Sequence, residues 1–293
     1  MRIIRINNHI IIVEFRQTHM DIPLKKLCKH VDRRITSDDS ARNSAQNSKY
    51  EGRKIVVVTG ASRGIGHTTV KHFAREGWQV FTCSRTSCPA SCPWSEACTD
   101  HLRIDFNDPI NISDGLKELR RRLDGRSVDA LINNAGVSPK GCDGRRLDAL
   151  HTSLETWREV LQVNLLAPMM MAKGLMSELV EARGVVVNIT SIAGSRVHPY
   201  AGAAYAASKA ALTALTREMA ADFGPLGVRV NSIAPGEIST AMLSPGTEKM
   251  ANQIPMQRLG TPHEVASTIY FLCSTHASYV NGAELPINGG QHI

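Results

Sequence analysis

The sequence predicts an α/β protein built as one doubly wound parallel sheet of about seven strands, with helices on both faces. Three observations predict it. Short β-branched runs recur along the chain, as at residues 54–59 (KIVVVT) and 184–189 (GVVVNI), and such unbroken apolar runs suit strands buried on both faces. Helical segments alternate with these runs throughout, the pattern of a parallel sheet with crossover helices. A glycine-rich turn, Gly60-Ala61-Ser62-Arg63-Gly64-Ile65-Gly66, joins the first such strand to an amphipathic helix at residues 65–76.

The chain has 293 residues, enough for one large domain with a sizeable core. No apolar run approaches the ~18–20 residues of a membrane span, so a soluble, cytoplasmic protein is expected. The formal charge of +7 raises nucleic acid or anionic surfaces as partners. Its distribution argues against both. Residues 1–50 hold 10 Lys/Arg against 5 Asp/Glu, and the rest of the chain is nearly balanced. Residues 1–50 therefore read as an N-terminal extension, and residues 51–293 as the working domain. Within the extension, residues 38–49 (DDSARNSAQNSK) read as a flexible linker. The acidic residues Glu14, Asp21 and Asp32 count against a transit peptide.

Strand, glycine turn and helix in succession make a phosphate-binding cradle of the Rossmann type. Glycines let the backbone approach a pyrophosphate, and the helix N-terminus favours its charge. The spacing is G-x-x-x-G-x-G. The second strand, at residues 79–83, ends in Ser84 and Arg85, where an NAD site places a carboxylate on the ribose 2′-hydroxyl. A hydroxyl and a guanidinium here, with Arg63 in the glycine turn, suit a 2′-phosphate. NADP(H) is therefore expected over NAD(H). A third strand at residues 102–104 delivers Asp105 to the same edge, within reach of an adenine. The fourth, at residues 129–132, ends in Asn133-Asn134-Ala135-Gly136, whose small residues would let a ribose lie against the backbone.

Residues 138–152 form a polar loop at this edge and read as a substrate rim. A helix is predicted over residues 111–123, capped by Asn111 or Ser113. A long one is predicted over residues 154–182, with Asn164 midway, either capping a local break or serving chemistry. The fifth strand delivers Thr190 and Ser191. The sixth, at residues 229–233, runs into Pro235-Gly236-Glu237-Ile238-Ser239-Thr240. A helix at residues 261–273 carries Thr261 as N-cap and Glu264 as its capping-box partner. The last strand spans residues 283–287.

Tyr205 and Lys209 are four apart in an Ala-rich helical run, so both face the same way. A neighbouring ammonium lowers a phenol pKa from about 10, and a phenol so tuned can exchange a proton with an alcohol oxygen. Cys88, Cys92, Cys98 and His101 have the residue types of a zinc site without its usual spacing. No metal is expected, and reduced thiols are.

Taken together, the chain resembles the short-chain dehydrogenase/reductase family. The residues that carry the resemblance are the Thr59-Gly60 to Gly66 turn, Asn133 to Gly136, Asn164, Ser191, Tyr205-x-x-x-Lys209, and Pro235-Gly236 with Thr240. They span residues 54–290, and the chain is most similar to 3-oxoacyl-carrier-protein-reductase-like members. The Ser-Arg ending of the second strand resembles plant tropinone reductases. The resemblance implies catalysis by Asn164, Ser191, Tyr205 and Lys209, and hydride transfer between a nicotinamide and a carbonyl or secondary alcohol. It implies cofactor contacts from the glycine turn, from Asn134 to Gly136, from Tyr205 and Lys209, and from the Pro235–Thr240 loop, where the Ile238 backbone holds the nicotinamide amide. It also implies a homotetramer or homodimer acting on a small molecule, with neither nucleic acid nor membrane as partner. The alternative class is a catalytically silent cofactor-binding regulator or scaffold. The chain departs from the family in its extension, its Cys-rich loop and Glu237, which is expected to be an ordinary solvated carboxylate rather than a substrate contact. Removing residues 1–48 is expected to leave catalysis intact, as assay of the truncated protein checks; loss of soluble, active protein would show that the extension packs on the domain.

Overall fold

The computed structural model of the chain describes residues 2–6, 9–13, 52–86, 100–241, 243 and 246–293. The chain divides into two units, Met1–Glu51 and Gly52–Ile293, each described by itself. In the first, β1 (Arg2–Ile6) pairs antiparallel with β2 (His9–Val13), Ile6 lying opposite His9. The expected linker at residues 38–49, and Cys88, Cys92 and Cys98, lie outside the described residues.

The second unit holds seven parallel strands. These are β3 (Ile55–Thr59), β4 (Gln79–Ser84), β5 (His101–Arg103), β6 (Ala130–Asn133), β7 (Val185–Ile189), β8 (Arg229–Pro235) and β9 (Glu284–Ile287). Their spatial order is β5-β4-β3-β6-β7-β8-β9. The chain builds outward from β3 in one direction, then returns to β6 and builds in the other. The boundary between β3 and β6 is the topological switch point, where open α/β sheets bind ligands beyond the strands' carboxyl ends.

Alternation along β3 explains the two layers. Ile55 and Val57 pack on one face with Phe81, Leu102, Leu131 and Met171. Val56 and Val58 pack on the other with Val70, Phe73, Ile132 and Val265. The first face is covered by α2 (Pro109–Leu123), by the segment from α3 (Leu154–Leu161) through α4 (Ala167–Gly174) to α5 (Met176–Ala182), and by α6 (Ala203–Phe223). The second is covered by α1 (Gly64–Arg75) and α7 (Pro262–Cys273).

Helix boundaries depart from expectation in two places. Helix α2 starts at Pro109, and its cap is Asp108, whose Oδ1 accepts from the Ile110 amide at 2.8 Å. Neither Asn111 nor Ser113 caps it: proline at the first position and an aspartate before it form the stronger start signal. Asn111 instead accepts from the Asp105 amide at 2.7 Å. The long helix expected over residues 154–182 is three helices. A π-turn at Gln162–Leu166 separates α3 from α4. Pro168 has no N–H for the Asn164 carbonyl four residues back, so a regular α-helix cannot run through this point. Helix α7 starts as expected, with Thr261 and Glu264 in a reciprocal capping box.

No helix of the described residues is long and apolar enough to cross a membrane. Among the same residues, no group of three or more His, Cys, Asp or Glu side chains is placed to hold a metal ion. His101 bonds Thr82 Oγ1 at 2.8 Å and the Thr86 carbonyl at 3.0 Å.

Candidate active site

The glycine turn and the strand end beside it are locked together by polar contacts. Asn134 Nδ2 donates to the carbonyls of Thr59 and Gly60, each at 3.0 Å. Thr59 Oγ1 accepts from the amides of Asn134 and Ala135, also at 3.0 Å. Gly66 closes the turn: a Cβ there would lie 2.3 Å from the Gly60 carbonyl oxygen and 2.4 Å from Asn134 Nδ2. Only glycine lets α1 begin so near the end of β3.

This cradle fits a pyrophosphate. The residue before α1, Arg63, makes no side-chain cap, and the first turn carries no acidic residue. The leading amides of α1 are thus left to an anion rather than to the protein's own side chains. Ser62 and Arg63 are exposed beside it, and Ile65 is part-buried in its first turn. The loop after β8 arches over the turn, so that a Cβ on Gly64 would sit 3.5 Å from Thr240 Cγ2.

The residues after β4 and β5 line the same edge. Arg85 is exposed, and its carbonyl accepts from Arg103 Nε at 3.0 Å, which adds a guanidinium that the sequence did not single out. Ser84 departs from expectation. It is 5 % exposed and its hydroxyl donates to the Thr86 carbonyl at 2.8 Å, so the turn's own geometry consumes it. Asp105 is exposed, with Oδ1 accepting from the Asn107 amide.

Ser191, at the end of β7, starts a single 3₁₀ turn, Ile192–Gly194, and its Oγ accepts from the Ala193 amide at 3.2 Å. Gly194 lets that turn lie against α6, since a Cβ would meet the Ala210 nitrogen at 2.8 Å. The close approach brings Ser191 to Tyr205. On α6, Tyr205 and Lys209 are neighbours, with Lys209 Nζ 5.7 Å from the phenol ring centroid. Lys209 is 4 % exposed and donates to the Ile189 carbonyl at 2.6 Å. A Cβ on Gly136 would lie 3.5 Å from Lys209 Nζ, which places the turn after β6 beside this amine.

The phenol is not acidified, contrary to expectation. Burial pushes Tyr205 above the usual phenol range, the Glu237 charge adds to the rise, and the Ser191 hydroxyl acts in the opposite sense. Loss of water around the phenolate outweighs its neighbours. Burial also lowers Lys209, to about 8, because an ammonium away from water is disfavoured.

Asn164 is fully buried. Its Oδ1 accepts from the Val137 amide at 2.8 Å; Nδ2 donates to the Val137 carbonyl and to Ser208 Oγ. The side chain thus pins the loop after β6 to the π-turn and α6. The Pro235–Thr240 loop is held by Gly236 N donating to the Ile287 carbonyl, and by Ile238 bridging Gly260. Glu237 is not solvated. It is 7 % exposed and meets His198 Nε2 at 2.5 Å. His198, and Lys140, which donates to the Tyr200 carbonyl, were missed in the sequence. The one available signal was a His-Pro pair between Ser191 and Tyr205.

Comparison with known proteins decides the family. A family model described as enoyl-(acyl carrier protein) reductase matches residues 60–292. The chain belongs to the short-chain dehydrogenase/reductase family. It is 54% identical over 242 residues to Protein FixR of Bradyrhizobium diazoefficiens, across 82% of this chain and 87% of that one. It is 34% identical over 248 residues to meso-2,3-butanediol dehydrogenase of Serratia marcescens, across 81% and 94%. A solved 3-oxoacyl-[acyl-carrier protein] reductase of Brucella melitensis, with bound NAD, superimposes with a TM-score of 0.73 at 30% identity, over 90% of this chain and 99% of that one. The short-chain dehydrogenase/reductase fold and its resemblance to 3-oxoacyl reductases, both expected from the motifs, are borne out.

Proposed function

We propose that the chain is an NADP(H)-dependent oxidoreductase interconverting a carbonyl compound and its secondary alcohol, with a 3-oxoacyl thioester or a related ketone as substrate. The observation that carries this reading is the meeting of Ser191, Tyr205 and Lys209 at the carboxyl ends of the strands, beside the glycine cradle. The cofactor, when bound, supplies or accepts the hydride. Gly60 to Gly66 would hold its pyrophosphate, with Asn134, Ala135 and Gly136 beside the ribose and Pro235 to Thr240 beside the nicotinamide.

The protein's own groups handle the oxygen and the proton. The Ser191 hydroxyl orients the carbonyl oxygen and stabilises the charge that grows there. Tyr205, held protonated by burial, donates its phenolic proton to that oxygen as hydride reaches the carbon, and the alcohol results. The phenolate left behind is stabilised by the Lys209 ammonium, then reprotonated from solvent. Asn164 acts as a positioning residue through Val137 and Ser208. Preference for a 2′-phosphate rests on Arg63 and Arg85, the exposed guanidiniums that follow β3 and β4, with Arg103 alongside. Ser84 has no part in it.

Tyr205→Phe is expected to keep NADPH affinity, read by fluorescence titration, while lowering kcat by about a hundredfold or more; unchanged turnover would refute the assignment. Replacing Arg63 and Arg85 together by Ser should move the NADP/NAD ratio of kcat/KM by at least about tenfold towards NAD, the scale of one lost charge-assisted hydrogen bond. A ratio that stays put would refute the phosphate reading. The pH profile follows from Lys209. Its pKa is lowered to about 8, so the ammonium is present below that pH and lost above it. Reduction should be level below pH about 8 and fall above it; a level profile up to about pH 10 would remove Lys209 from the proton path.

A further inference from the structure

Glu237 is a buried carboxylate at the reaction centre, and the proposed proton transfer does not use it. It follows the Pro235-Gly236 bend and is 7 % exposed. One of its oxygens accepts from His198 Nε2 at 2.5 Å. The tautomer is fixed from the other side, because His198 Nδ1 accepts from the Tyr200 amide at 3.2 Å and so carries no proton. The second carboxylate oxygen has no hydrogen-bond partner among the described residues. It is not among the side-chain atoms sealed from solvent, so a ligand entering the site can donate to it in place of water.

Three segments meet around the His198–Glu237 pair. Lys140 Nζ, in the loop after β6, donates to the Tyr200 carbonyl, and Arg146, across a β-bridge from Lys140, donates to the His198 carbonyl at 3.4 Å. The Glu237 charge acts on the Tyr205 phenol and on Lys140, so the carboxylate is within electrostatic reach of both the proton donor and the 138–152 loop. Lys140 compensates its charge. A cationic ligand is therefore not called for, and a long alkyl chain would strand the carboxylate. A neutral O–H donor satisfies it.

We propose that Glu237, positioned by His198, is a specificity residue that accepts a hydrogen bond from a hydroxyl borne next to the reacting carbonyl, making hydroxyketones and their vicinal diols the preferred substrates. This rests on the oxidoreductase reading above and narrows its substrate class. Glu237 would contact substrate directly. His198 acts through Glu237 by holding one oxygen and turning the other towards the ligand.

The test is the ratio of kcat/KM for 2-hydroxycyclohexanone over cyclohexanone, and for acetoin over 2-butanone, with NADPH and NADH each supplied, folding being monitored by thermal melting. The wild-type ratio is expected at about tenfold to a hundredfold, the worth of a hydrogen bond to a charged group. Glu237→Gln and His198→Leu should each bring it close to unity, through KM more than kcat. His198→Gln, which can still donate to Glu237, should restore most of it. A wild-type ratio near unity, or one that Glu237→Gln leaves unchanged, overturns the inference while leaving the oxidoreductase standing. Absence of turnover with all four compounds and both cofactors overturns the inference, and absence of turnover with a 3-oxoacyl thioester as well overturns the oxidoreductase reading too.

Discussion

The site depends on one steric and polar constraint, the closure of the glycine turn onto the strand end beside it. Asn134 spends its amide on the carbonyls of Thr59 and Gly60, while Thr59 receives the two amides that follow β6. The switch point is thereby stapled shut at its base, and Gly66 leaves no room for a side chain between them. The leading amides of α1 face outward with no protein acceptor in the way. The loop after β8, α6 and the π-turn all pack around this fixed edge, so their side chains converge beyond it.

Desolvation governs the chemistry of that convergence more than charge pairing does. Phenol and amine are both pushed towards their neutral forms by the same loss of water. The result is a proton donor kept loaded at neutral pH, beside a cation whose charge is lost not far above it. Electrostatic influence from Glu237 reinforces the first of these. Burial thus sets the resting protonation of the pair, and the 3₁₀ turn at Ser191 supplies the opposing hydrogen bond.

Much of the fold was legible because strands buried on both faces must be apolar without alternation, and the runs at β3 and β7 are. Tyr205, Lys209 and the glycine turn were legible from spacing alone, since helix geometry and strand–turn–helix context fix where such residues go. What was not legible depends on contacts between distant segments. Whether Tyr205 is acidified depends on how much water surrounds it, which no spacing reports. The pairing of Glu237 with His198 joins segments 39 residues apart, so the carboxylate read as an ordinary loop residue. Ser84 looked like a ligand because its hydroxyl's internal partner, the Thr86 carbonyl, is backbone and leaves no sequence trace. The π-turn had a signal in Pro168, four residues past Asn164, that propensity alone did not weigh.

That wide turn has a consequence for how this region can change length. Each residue of a helix advances the chain by about 100° around its axis, and the extra residue at Gln162–Leu166 offsets the phase of everything after it. The offset lets Asn164 reach Val137 and Ser208 while Met171 and Ala172, further along, still bury against the sheet. Gaining or losing one residue between Leu161 and Ala167 would rotate one of these sets away from its partners. The segment is therefore closed to insertions and deletions, and its sequence can drift only by substitution.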